Sequence, residues 1–331
     1  MKRLFQGVTS KMTSTALVLT TMAASLVLSG GAGQAATQAP TPVGVSAAPG
    51  PAPAPPPPPY SIPWQLRPVS VGNVVRSDTS LAIYENANGQ SGLTTASMLL
   101  ATYKITPSLA PLVRLAVVQN AEPGPAVGTA TAFVNPILGL VYAPKISANW
   151  KASAFLATTL PVGMGGDKAP GMDATAAAAS RGIAARSGMD NAMFAVNYTT
   201  LIGGLGAAWV ANKLTVQLEA TVLELLRSRN EMYAPESART NFTSGLHVGY
   251  FPLAFLSLGA ELRYQRWLTT PGFVKANSAA RDTTTIAIGP RFHFKAGGVW
   301  LRPGLSYSTA LDKPVSDLGY HIFQLDVPVV F

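Results

Sequence analysis

The stretch HIFQLDVPVVF, residues 321–331, sorts its side chains by parity. His321, Phe323, Leu325, Val327, Val329 and Phe331 fall on one face of an extended chain, and Ile322, Gln324, Asp326, Pro328 and Val330 on the other. Successive side chains of a strand point to opposite sides, so this is a half-apolar strand finishing on an aromatic residue. Chain ends usually fray into water; this one is built to be held. The alternation recurs upstream. In LSLGAELRYQRW (256–267), Leu258, Leu262 and Tyr264 oppose Ser257, Glu261, Arg263 and Gln265. In TTTIAIGPRFHF (283–294), Ile286, Ile288, Phe292 and Phe294 oppose Thr285, Arg291 and His293. GLHVGY (245–250) sets Leu246, Val248 and Tyr250 against His247.

Composition narrows what such strands belong to. Only 12% of the residues are charged and the mean hydropathy is +0.25, against about 25% charge in soluble domains. Beyond the N-terminus there is no uninterrupted apolar run of about 20 residues, so spanning helices are not expected. A transmembrane β-barrel reconciles the two facts, because it spreads its apolar residues over alternate positions. The formal charge of +9 does not mark a nucleic-acid binder: the cations form no patch, and Lys2, Arg3 and Lys11 lie in an N-terminal leader. The chain has no cysteine, which excludes disulfides, thiolate catalysis and Cys-ligated metal sites.

Residues 1–36 have a basic start, an apolar stretch over 15–28 and small residues up to Ala35 and Ala36. This is the pattern of a secretory signal peptide. Residues 37–73 follow as a Pro-rich periplasmic lead-in containing PAPAPPPPPY (51–60); proline runs favour extended polyproline II spacers. Trp64 is available for packing there, and the sequence leaves open whether it enters the barrel as a short plug.

Residues 74–331 read as an all-β, transmembrane, antiparallel up-and-down barrel of about 12 strands. The strands are expected near 74–84, 93–104, 110–120, 129–143, 150–161, 194–210, 214–227, 239–251, 256–268, 282–294, 299–309 and 319–331. Counted from the first strand, the odd connections are longer and polar or Gly/Pro-rich, and the even ones are tight. That asymmetry belongs to outer-membrane barrels, whose short turns are periplasmic. Trp150, Trp209, Trp300, Tyr142 and Tyr250 fall near the short turns and Trp267 at the opposite end of its strand, as expected of aromatic girdles at a membrane interface. Strict parity puts Trp267 and Trp300 on the polar face, which calls for a bulge or a boundary position.

A last strand of this kind, with Phe323, Leu325, Val327, Val329 and Phe331 on one face, resembles the C-terminal signature of bacterial outer-membrane β-barrels. The resemblance implies recognition by the barrel-assembly machinery, contact with outer-membrane lipid and location in the outer membrane of a Gram-negative bacterium. The layout is also loosely similar to outer-membrane transport barrels associated with phenol degradation, which implies passage of small hydrophobic or aromatic compounds. Barrels of this size include a phospholipase that uses His and Ser two residues apart. None of the three histidines here has that neighbour, so no catalytic residue is assigned. No motif for a metal or a cofactor is present.

The expected site is the lumen. Residues of the polar parity include Arg114, Glu219, Glu261, Arg263, Arg291, Arg302, His247 and Asp326, together with His293, Gln217, Gln265 and Gln324. They line either a charged channel for small solutes or the paired interior of a plugged barrel; the one surplus arginine points to small anions. The long loop 162–193 is Ala-rich, carries Arg181 and Arg186, and has helix propensity, so it is a candidate lid over the mouth. The alternatives to a channel are a structural or surface-interaction barrel with a plugged interior and, third, an outer-membrane hydrolase. The solute and the oligomeric state are not legible.

Overall fold

The fold is that of a computed structural model of the chain, which describes residues 59–86, 88–122 and 128–331. The expected signal peptide and most of the Pro-rich lead-in lie outside the described residues. Fifteen strand segments form one sheet: β1 (Val74–Glu85), β2 (Ser91–Thr102), β3 (Leu109–Ala121), β4 (Thr129–Phe133), β5 (Ile137–Tyr142), β6 (Trp150–Thr159), β7 (Tyr198–Ala211), β8 (Leu214–Arg227), β9 (Ala238–Leu253), β10 (Leu256–Trp267), β11 (Asp282–Phe292), β12 (Phe294–Ala296), β13 (Val299–Leu301), β14 (Gly304–Ala310) and β15 (His321–Val330). Every pairing is antiparallel, and β15 closes the sheet on β1 from Val74↔Val330 to Ile83↔His321. Phe331 N–H adds a bond to Asn73 C=O at 3.1 Å. Closure removes the sheet edge that lipid would leave unsatisfied. The result is a closed barrel of twelve antiparallel staves.

Three staves are interrupted. The fourth was expected to run unbroken over 129–143; it breaks into β4 and β5 at 134–136, because Pro136 has no N–H for the ladder and Asn135 turns inward. There Asn135 donates to the C=O groups of Ala195 and Tyr198, both at 3.1 Å, and accepts from Gly163 N–H at 2.9 Å. The tenth stave splits into β11 and β12, and the eleventh into β13 and β14 at Arg302-Pro303. The sixth starts at Tyr198 rather than 194, since Asn191–Phe194 is a helical turn.

The two rims differ as expected from the fifth stave onward, while the first two odd connections are no longer than the turns opposite them. The connection 86–90 is as short as the turns opposite it, while 160–197, 228–237, 268–281 and 311–320 are long. Outside, Leu140, Leu156, Leu205, Leu218, Ile288 and Leu325 project from the wall and form an apolar belt, as a lipid-facing surface requires. Phe323 and Phe331 are exposed too, Val327 is half-buried, and Val329 is buried. Trp150, Trp209, Tyr142 and Tyr250 are exposed near the short turns, with Trp150 directly opposite Trp209 across β6 and β7; Trp300 is exposed at the same rim but keeps the inward parity, paired with Val330. Trp267 does not belong with them. It is 6% exposed, keeps the inward parity of β10, and packs edge-on against Phe273 at 5.4 Å; its place is inside the long-loop rim, not in an outer girdle.

Candidate lumen site

The lumen is filled from both ends. From the short-turn end, residues 59–73 enter the barrel. The last part of the expected lead-in is therefore interior plug, not linker. An extended segment has no ladder of its own, so its backbone must find partners on the wall. Trp64 N–H and Gln65 N–H both donate to Glu261. Arg67 N–H donates to Glu219, whose carboxylate also pairs with the Arg67 guanidinium. Arg291 donates to Ile62 C=O at 3.2 Å, Gln217 to Arg67 C=O at 2.7 Å, and Arg76 to the C=O groups of Pro63 and Trp64. Trp64 is 1% exposed. Wall glycines make the fit: a Cβ on Gly259 would meet the Trp64 ring at 3.0 Å, and one on Gly245 would meet Leu66 at 2.4 Å.

From the long-loop end, the connection 160–197 folds into the mouth. It carries helix α1 (Ala174–Ala185), capped by Asp173, which accepts from Thr175 and Ala176 N–H. The buried face of α1 is Ala176–Ala179, Gly182 and Ala185, small enough to sit against the wall. Ser187 (φ 56°) and Gly188 (φ 71°) reverse the chain at the helix end, and Gly188 faces Gln265. Arg186 is wholly buried and pairs with Asp78 at 2.9 Å and Asp190 at 3.1 Å. Asp190 also holds Arg114. Burial pushes the Asp190 carboxyl up, but Arg114 and Arg186 pull it further down, well below the ordinary carboxylate range. Arg181 pairs with Glu122 at 2.7 Å and lies 4.7 Å from the Tyr84 ring centre.

The residues expected in the lumen are placed there. Arg114, Glu219, Glu261, Arg263, Arg291, His247 and Asp326 are buried, and Arg302 is half-buried on the inner face. They do not form one ring. Asp326 lies between Arg76 (2.6 Å) and Arg291. Glu261 joins Arg263 (2.9 Å) and the plug. The partners that sequence parity missed are Arg67, Arg76, Asp78 and Asp190. Ser61, His247 and Glu261 resemble a nucleophile–base–acid line, at 3.1 Å and 3.5 Å. Ser61 Oγ, however, is packed against Gly249, where an added Cβ would stand 2.1 Å away, and Glu261 is engaged by two plug amides. The trio anchors the plug. Among the described residues no cluster of His, Cys, Asp or Glu is arranged to hold a metal ion.

The other half of the lumen is apolar, which sequence parity did not foresee. Leu100, Leu112, Ile137, Val141, Phe155 and Ile202 face inward from β2, β3, β5, β6 and β7 and, with the plug, bound a cavity of about 250 Å³ toward the short-turn end. The signal was present: SMLLAT (97–102), LVRLAVV (112–118) and ILGLVY (137–142) are apolar on both parities. In a single-walled barrel that means an apolar inner as well as outer face.

Comparison with known proteins places this architecture. No family model and no curated protein sequence matches the chain. Among solved structures, the COG4313 outer membrane channel from Pseudomonas putida F1 is similar over 82% of this chain and 100% of that one, at 16% identity and a TM-score of 0.53. The NanC porin is similar over 77% and 98%, at 8% identity and a TM-score of 0.45. The KdgM porin is similar over 77% and 99%, at 9% identity and a TM-score of 0.43. The likeness to the first is one of fold, that of bacterial outer-membrane barrels.

Proposed function

We propose that the protein is an outer-membrane channel for small solutes, seen with its lumen closed, and that it is not an enzyme. One observation carries the reading. The barrel wall needs no filling to close its own hydrogen bonds, yet two separate pieces of chain occupy the lumen and leave an apolar cavity between plug and wall. The plug is held by a finite set of side-chain bonds rather than by strand pairing, so it can leave without unfolding the wall. In this reading the short-turn rim is periplasmic, the 1–36 leader directs export, the terminal strand is the assembly signal, the belt meets lipid and the rim aromatics lie at its interface. The solutes are small hydrophobic or aromatic compounds or small anions; the apolar half-lumen suits the first and the arginines the second. Arg181 and Arg186 would then seat a lid.

The ion pairs of the loop 160–197 and the side-chain hydrogen bonds along 59–73 favour a second reading, a permanently closed structural or surface-interaction barrel. Planar-bilayer conductance separates the two. The chain lacking residues 59–70 should give larger and more frequent steps than the intact chain. Silence from that variant, shown by heat-modifiable gel migration to be folded, would overturn the channel reading.

A further inference from the structure

The cavity beside the plug has a charge pattern of its own. Arg67, Arg76, Arg114 and Arg302 line it, and no carboxylate does. Three of them fall in one register row. Arg302 N–H bonds Pro328 C=O, Pro328 is paired with Arg76, Arg76 with Leu100, and Leu100 with Arg114. Guanidinium groups thus alternate with apolar residues along one side of the cavity.

Three of the four arginines have a carboxylate partner within the protein, although the Arg114 Nε is buried without a hydrogen bond. Arg67 pairs with Glu219, Arg76 with Asp326 and Arg114 with Asp190. Arg302 has no such partner among the described residues: its Nε is buried without a hydrogen bond, and its guanidinium lies 5.6 Å from the Trp300 ring centre. The neighbouring Arg291 donates to Arg302 C=O at 2.7 Å and takes up Asp326. A desolvated donor left without an acceptor is costly, and a cation is more so.

We propose that the cavity binds a monocarboxylate with an apolar body, a single aromatic ring or a medium-length acyl chain. Its carboxylate sits on Arg302 and its body lies along the wall formed by Leu112, Val141, Phe155 and Ile202. One unpaired guanidinium matches a single negative charge, and a dianion would find no second free cation. The volume of about 250 Å³ lies just below the ~300–1,000 Å³ usual for ligand pockets, which limits the body to small compounds. The inference deepens the channel reading by naming a cargo class, and rests on that reading for the site's role in passage; occupancy itself is measured separately.

The test is titration calorimetry of the full mature protein in lipid nanodiscs. The probes are octanoate and benzoate, with octanol and acetate as controls for body without charge and charge without body. At least one of the two apolar carboxylates should bind saturably and more tightly than either control, and Arg302→Gln should weaken it about tenfold, the effect of one charge-assisted contact. Arg302→Lys should retain part of the affinity, and both variants should keep heat-modifiable migration. Failure of both carboxylates to bind, or equal binding to wild type and Arg302→Gln, overturns the site. Bilayer conductance on the same preparations keeps the two readings apart: binding without conductance leaves the site and removes the channel, and conductance without binding does the reverse.

Discussion

Asp326 shows how the lumen is held at the scale of a residue. It is completely buried between Arg76 and Arg291, and those arginines in turn hold the plug carbonyls of Ile62, Pro63 and Trp64. Removing one partner of a buried ion pair leaves uncompensated charge. Asp326→Asn should therefore cost about 3 kcal/mol, read as a lower urea midpoint for loss of heat-modifiable migration; a change within ~0.5 kcal/mol would mean that the cluster carries no weight. Asp326 and Arg291 were legible because their strands alternate cleanly. Arg76 and Asp78 were not, because VVRSDTS (74–80) has valines on both parities and then polar residues on both, so parity names no inner face. Arg67 and Asp190 lie outside the strands altogether, and nothing local to them marks the lumen.

The loop 160–197 is the element whose placement matters most. Its helix was legible from the alanine run, but its depth was not: the seat is made by Asp78 of β1, by Arg114 of β3 and Glu122 at its end, and by packing contacts at Gly182. A Cβ on Gly182 would stand 2.4 Å from the ring of Phe194 in the same loop and 3.0 Å from Val118 of β3 in the wall. Gly182→Leu should push α1 off the wall and make 160–197 sensitive to limited proteolysis while the barrel stays intact; unchanged resistance would show that the helix does not need that contact. The ion-pair seat has a definite pH dependence. The carboxyl of Asp190 is lowered in the folded protein, below its unfolded value of about 3.9. Its contribution is therefore fully present above pH ~4 and lost as the pH falls further. Protection of this loop from proteolysis or hydrogen exchange should be flat from about pH 5 to 8 and fall only in stronger acid, whereas Asp190→Asn should be loosened across that whole range. A loss of protection near pH ~6–7 in the wild type would point to a different latch.

For the whole molecule, the barrel was the legible part, because the two-residue period and the turn residues repeat along the chain and each repeat reports the same architecture. The apolar half-lumen was obscured by the assumption that inward means polar. The plug was obscured for another reason: residues 59–73 have no period, and their stability comes from side chains distant in sequence, such as Glu219, Glu261 and Arg291. The molecule is thus a wall whose ladder closes on itself, with two fillings tied to it through side chains. The chain's lack of cysteine permits a direct trial of that division. Leu66 and Gly245 are in side-chain contact distance across the plug–wall boundary, so Leu66→Cys with Gly245→Cys can lock the plug reversibly. The decisive measurement is single-channel conductance of this double variant before and after reductant. Silence when oxidised and steps when reduced are the predicted result; identical conductance in the two states, with the disulfide verified, would contradict a lumen gated by residues 59–73.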